Sequence, residues 1–155
     1  MALQLDFAKL QPQDVLDLAL FAEREAEEGY HRLAALMAAQ GKGELAAFFR
    51  RMAAWEQEHQ ARLEERRRAV FPHAPKNLAD RAPWAIELPD DASVTADITP
   101  RRALELARAA EISAYEYYTA ALDYVTDAGV TSVLELLRKE ELGHQRLLEQ
   151  EIAKL

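Results

Sequence analysis

An all-α fold, with four long helices arranged as two antiparallel hairpins, is predicted by three observations. Apolar residues recur at helical spacing along four long stretches. Short turn signals join those stretches in pairs. Between the pairs, residues 71–98 lack sustained periodicity and hold Pro72, Pro75, Pro83 and Pro89. The chain has 155 residues, half of them hydrophobic and only five of them glycine. That suits a single helical domain over residues 1–155 with a sizeable core.

The first helix opens at Gln11-Pro12, where proline fits a first turn, and carries Leu16, Ala19, Leu20, Ala26, Tyr30, Leu33 and Leu36 to about Gln40. Gly41-Lys42-Gly43 reads as the turn. The second helix runs from about Glu44 to Val70, with Phe48, Phe49, Met52, Trp55, His59 and Leu63 on its recurring face. The third begins at Thr99-Pro100, a cap followed by proline, and passes Leu104, Ala107, Glu111, Ala114 and Tyr118 to about Thr126. Asp127-Ala128-Gly129 reads as a break, and the fourth helix covers about Thr131 to Ala153. Turns this short force antiparallel pairing within each hairpin. A helix of roughly 27 residues spans about 40 Å. The long crossover at 71–98 is therefore expected to return the chain to the far end of the bundle.

Charge and composition exclude several functions. There are 19 Lys plus Arg against 27 Asp plus Glu, a formal charge of −8. Phosphate surfaces demand clustered cations, so neither nucleic acid nor a membrane is an expected partner. Cysteine is absent, which removes disulfides, zinc ribbons, iron–sulfur clusters, thiol nucleophiles and a rubredoxin-type centre within the chain. No apolar run approaches the roughly 20 residues of a membrane span, and Met1 to Leu10 lacks a signal pattern. A cytoplasmic protein is expected.

The two hairpins repeat one another. Leu16-Asp17-Leu18-Ala19, Glu23, Ala26 and Tyr30 of the first helix recur as Leu104-Glu105-Leu106-Ala107, Glu111, Ala114 and Tyr118 of the third, at one constant offset. Glu56, His59 and Leu63 of the second recur as Glu141, His144 and Leu148 of the fourth, at an offset three residues shorter. In an antiparallel hairpin, residues equidistant from the turn share a height. Glu23 thus stands opposite Glu56 and His59 about the Gln40-Gly41 turn, and Glu111 stands opposite Glu141 and His144 about Asp127. Positions i and i+3 project from one helical face, so each Glu-x-x-His can offer carboxylate and imidazole to one ion.

These positions continue the apolar stripes and so point inward. Four Glu buried together repel and lose their hydration. Two divalent cations cancel that charge. A mixed carboxylate and imidazole set suits iron or manganese, and zinc is the lesser alternative because structural zinc favours closed tetrahedral sites, often with thiolate.

The segments Glu23-x-x-Ala26-x-x-Gly29-Tyr30, Phe49-x-x-Met52-Ala53-x-x-Glu56-x-x-His59, Glu111-x-x-Ala114-x-x-Tyr117-Tyr118 and Leu134-x-x-Leu137-x-x-x-Glu141-x-x-His144 resemble the ferritin-like di-iron carboxylate proteins, rubrerythrin-like branch. The resemblance covers all four helices and implies a ferritin-like four-helix bundle holding two iron ions. It implies that Glu23 and His59 serve one metal, Glu111 and His144 the other, and that Glu56 and Glu141 bridge. Tyr30 and Tyr118 would donate hydrogen bonds that orient the carboxylates. The implied activity is non-haem di-iron oxidoreductase chemistry, reducing peroxide or oxygen with external electrons or oxidising ferrous iron. Iron storage or transfer and a structural metal-binding bundle are the alternatives. The implied partners are oxygen or peroxide and an external electron donor protein, and a homodimer is the expected assembly. Two features depart from the family pattern. Rubrerythrins with peroxidase activity commonly carry a further Glu where this chain has Ala114, and many carry a rubredoxin domain that a chain without cysteine does not supply.

Other polar residues have plainer readings. Glu25, Glu27, Glu28, Glu58 and Glu140 adjoin the implied ligands and read as members of a solvated face. His31 and His73 have no partner at metal spacing. Arg66-Arg67-Arg68 lies at the end of the second helix, where positive charge suits the helix dipole. Trp55 and Trp84 read as core or interface anchors.

Overall fold

The computed structural model describes residues 5–76 and 94–155. Among them stand a short 3₁₀ turn at Phe7–Lys9 and four helices, α1 (Pro12–Ala39), α2 (Gly43–Val70), α3 (Pro100–Leu122) and α4 (Ala128–Ala153), with no strand. Trp84, and with it most of the crossover, lies outside the described residues.

Each helix starts and stops for a local reason. The backbone N–H of Gln11 donates to Asp14 Oδ2 at 2.9 Å ahead of α1. At its far end Gly41 takes the left-handed conformation, φ 75°. The N–H of Lys42 returns to the carbonyl of Met37 at 2.8 Å and that of Gly41 to Ala38 at 3.0 Å, a helix end that favours glycine at this position. Thr99 caps α3 by accepting from the Arg102 N–H at 3.1 Å. Asp127 caps α4 in the same way, from Val130 at 2.9 Å.

The second turn differs from the sequence expectation. Helix α3 stops at Leu122, not Thr126, and α4 starts at Ala128, not Thr131. Ala128 and Gly129 form a first turn and do not break the helix, because the Asp127 carboxylate satisfies a backbone N–H that would otherwise be orphaned. Gly43 likewise belongs to α2 and not to the turn before it.

Helices α1 and α2 pair along their lengths, as do α3 and α4; α1 also touches α3, and α2 touches α4. Gln40, at the end of α1, donates from Nε2 to the carbonyls of Ala96 (3.0 Å) and Ile98 (2.9 Å) just before α3. Tyr117, late in α3, donates to the carbonyl of Val15 near the start of α1. α1 and α3 are therefore antiparallel, and the crossover joins opposite ends of the bundle.

The apolar interior forms two clusters. One gathers Leu16, Ala19, Leu63, Tyr117, Val130, Leu134 and Leu137 with Phe7. The other gathers Leu33, Met37, Phe49, Met52, Ile98, Leu104 and Leu148. Leu63 and Leu148, equivalent in the repeat, fall in opposite clusters, as a twofold arrangement of hairpins requires. A polar layer lies between.

Candidate metal centre

That layer consists of Glu23, Glu56, His59, Glu111, Glu141 and His144, each between 1% and 7% exposed. All six residues singled out in the sequence are brought together. Their donor atoms form three overlapping sets, Glu23, Glu56, His59 and Glu141 on one side, Glu56, Glu111, Glu141 and His144 on the other, and His59, Glu141 and His144 across the middle, with the atoms of each set within 4.8 Å of one another. Glu56 and Glu141 belong to both four-residue sets. His59 Nδ1 lies 2.9 Å from Glu141 Oε1, 3.3 Å from Glu23 Oε2 and 3.4 Å from Glu56 Oε2. His144 Nδ1 lies 3.4 Å from both Glu56 Oε1 and Glu111 Oε2, and 3.6 Å from Glu141 Oε2. The two imidazoles stack with ring centroids 5.2 Å apart.

The tyrosines act across the pair of hairpins. Tyr30 on α1 donates to Glu111 Oε1 on α3, and Tyr118 on α3 donates to Glu23 Oε1 on α1. Each of these carboxylates thus has one oxygen held by a phenol and the other facing an imidazole. Burial raises both phenols well above their ordinary range, helped by the neighbouring carboxylates, so both remain donors at neutral pH.

Electrostatics divide the six groups. Burial pushes every carboxyl up, yet hydrogen bonds from Glu56, His59 and Tyr118 overcome it at Glu23 and hold that group down to about 2. Glu111 is also lowered, burial being outweighed by Glu141, His144 and Tyr30. At Glu56 and Glu141 burial and repulsion from the other carboxylates act together, and both groups are raised well above the usual carboxylate range. Burial opposes charge on the imidazoles, but the surrounding carboxylates win. His144 is pushed up to about 12 and His59 is raised as well. Without metal these shifts favour the anionic form at Glu23 and Glu111, the protonated form at Glu56 and Glu141, and the charged form of both imidazoles.

The same atoms fit a pair of cations. Glu56 Oε1, both oxygens of Glu141 and His144 Nδ1 are fully buried and accept or donate no hydrogen bond. Such groups are destabilising where they lie unless a ligand takes them. The donors are oxygen and nitrogen without sulfur, a set suited to iron or manganese.

Three features of the surroundings were not read from the sequence. Gln60 and Gln145 donate from Nε2 to the backbone carbonyls of Glu23 (3.3 Å) and Glu111 (3.4 Å); each directly follows a repeated His, and that recurrence was the available signal. Glu140 is not part of a solvated face. It is only partly exposed and its Oε2 lies 2.8 Å from His59 Nε2, while both its oxygens accept from Arg62 Nη1, at 2.8 and 2.7 Å. Trp55 stacks on His144, with centroids 5.4 Å apart and planes 22° from parallel. His31 and His73 are exposed and stand outside the cluster.

The rubrerythrin family profile matches residues 14–152. The chain belongs to the rubrerythrin family. It is similar to an uncharacterised conserved protein from Magnetospirillum magnetotacticum MS-1, 30% identical, with TM-score 0.78 over 94% of this chain and 95% of that one. Its fold is shared with Rhodobacter capsulatus bacterioferritin, whose structure has a metal-free dinuclear site and a haem iron (24% identity, TM-score 0.73, 92% of this chain and 83% of that one). A hypothetical protein from Pyrococcus furiosus has the same fold, at 21% identity and TM-score 0.72 over 96% and 92% of the two chains. No curated protein matches the sequence. No helix among the described residues is long and apolar enough to cross a membrane.

Proposed function

We propose that this rubrerythrin-family chain is a non-haem di-iron oxidoreductase, in which Glu23 and His59 hold one metal, Glu111 and His144 the other, and Glu56 and Glu141 bridge the two. The observation that supports this reading is that Glu56 and Glu141 belong to both four-residue donor sets. Bound there, a pair of iron ions supplies two-electron chemistry toward oxygen or peroxide.

The chain's own residues do the remainder. Tyr30 and Tyr118 fix the Oε1 atoms of Glu111 and Glu23 and leave the Oε2 atoms turned toward the imidazoles. The apolar clusters on either side exclude bulk water. Reduction of peroxide to two waters consumes two electrons and two protons. The chain has no cysteine to carry electrons, so the proposal includes an external electron donor protein.

Anaerobically purified protein is expected to contain about two irons per chain, and aerobic ferrous oxidation to stop at about that ratio while peroxide consumption continues with added reductant. Glu56→Ala and His144→Ala are expected to lower iron content. Unchanged iron in both variants contradicts the ligand assignment. Oxidation of tens of irons per chain would replace this reading with iron storage, and bound metal without turnover would replace it with a structural bundle.

A further inference from the structure

The two halves of the centre repeat closely at the residues that face inward and differ at the residue immediately before each Glu-x-x-His. That residue is Trp55 on α2 and Glu140 on α4. Each reaches across to the imidazole of the other helix. Glu140 takes the outer nitrogen of His59, Nε2, at 2.8 Å, and Arg62 holds Glu140 in place through both carboxylate oxygens. Trp55 instead covers the face of His144. Among the described residues no hydrogen bond reaches His144 Nε2.

We propose that Glu140 is a positioning residue that makes the Glu23–His59 position the tighter of two metal positions, so that the centre fills in a fixed order, His59 side first. This rests on the di-metal reading above. A carboxylate accepting from Nε2–H fixes the tautomer in which Nδ1 carries the lone pair, holds the ring plane, and strengthens Nδ1 as a donor. His59 Nδ1 is the nitrogen aimed at Glu23, Glu56 and Glu141. His144 aims its Nδ1 inward too, but a stacked indole neither selects a tautomer nor adds charge behind the ring. Loss of such an outer partner costs about 10- to 100-fold in metal affinity, and the two positions differ by a factor in that range.

Anaerobic Co(II) titration, read by visible absorption, tests the proposal. The wild-type protein takes up cobalt in two steps separated by at least about tenfold in affinity. His144→Ala keeps the tight step and His59→Ala loses it. Glu140→Gln keeps a hydrogen-bond acceptor but not the charge, and it draws the two steps together by weakening the first and leaving the second unchanged. In Zn(II)-loaded protein, a slowly exchanging low-field imidazole N–H resonance from His59 disappears in Glu140→Leu. Two equal steps in the wild type, an unaltered gap in Glu140→Gln, or loss of the tight step in His144→Ala would each overturn the ordered filling while leaving the di-metal reading intact. Wild-type protein that takes up no cobalt would overturn both.

Discussion

The two hairpins hold the same Glu, His and Tyr residues of the centre in equivalent places, and the surroundings of those residues differ. Glu23 and Glu111 each pair with a tyrosine of the opposite hairpin, and Gln60 and Gln145 each bind the backbone carbonyl of the facing Glu. Behind the imidazoles the likeness ends, with an Arg62–Glu140 pair at His59 and an indole at His144. The difference teaches that a duplicated frame fixes which groups meet, while the residue just behind sets how each of them behaves. A twofold bundle can thus present two chemically unequal positions without losing its geometry.

The largest expected effect separates shared from unshared carboxylates. Glu56→Ala or Glu141→Ala leaves neither four-residue donor set complete, and metal affinity at both positions falls by about 100-fold or more. Glu23→Ala or Glu111→Ala spares the other set and retains about one metal per chain. Elemental analysis after anaerobic loading measures this, and a full complement in Glu56→Ala would break the symmetry argument at its centre.

Next in size is the coupling to protons, which the two halves share equally. In the metal-free cluster the shifts at Glu56, Glu141, His59 and His144 all favour the protonated form. Uptake of two divalent ions near neutral pH is expected to release about four protons, measurable by calorimetry in buffers of different ionisation enthalpy. Release of two would mean that one half is already deprotonated. Stability follows the same groups. His144 rises from 6.5 to about 12 on folding, so its contribution to the metal-free fold is complete below 6.5 and fades as pH climbs toward 12, and His59 shifts in the same sense. Glu23 falls from 4.5 to about 2, so its contribution is present above 4.5 and is lost as pH drops toward 2. Metal-free protein should therefore lose Tm between about pH 6.5 and pH 9, while loaded protein changes little. A Tm of the metal-free form that rises over this interval would contradict these assignments.

The smallest effect concerns the tyrosines. Tyr30→Phe and Tyr118→Phe should each weaken metal binding by about tenfold, and by equal amounts, because their contacts are reciprocal. Unequal losses in parallel titrations would show that the inequality of the two halves extends inward to the carboxylates.

Much of this arrangement was legible in the sequence because it rests on periodicity. The helical stripes place Glu23, Glu56, His59, Glu111, Glu141 and His144 on buried faces, and the internal repeat sets their heights. The turn at Asp127 was less legible, since glycine at 129 suggests a break while an aspartate cap starts a helix there. Glu140 was misread for a different reason. Beside Lys139 in a charged run it fits a surface position, and only the approach of α2 supplies its partner. Arg67 does lie in the last turn of α2, where its charge suits the helix dipole, but its partner could not be read from the sequence: it is buried and paired with Asp17 on α1, Nε to Oδ1 at 2.9 Å and Nη2 to Oδ2 at 3.2 Å.

That guanidinium also grips the carbonyls of Phe71, Ala74 and Pro75, while Gln40 grips those of Ala96 and Ile98. One described end of the connection is thereby fastened by α2, whose Arg67 is itself paired with Asp17 near the start of α1, and the other by the residue that ends α1. The span whose closure entropy must be met is shorter than the distance from α2 to α3 along the chain suggests, and each doubling of such a span adds only about 0.6 kcal/mol. Insertions between the two fastenings can accumulate at small thermodynamic cost, leaving the alignment of the four helices to be set elsewhere.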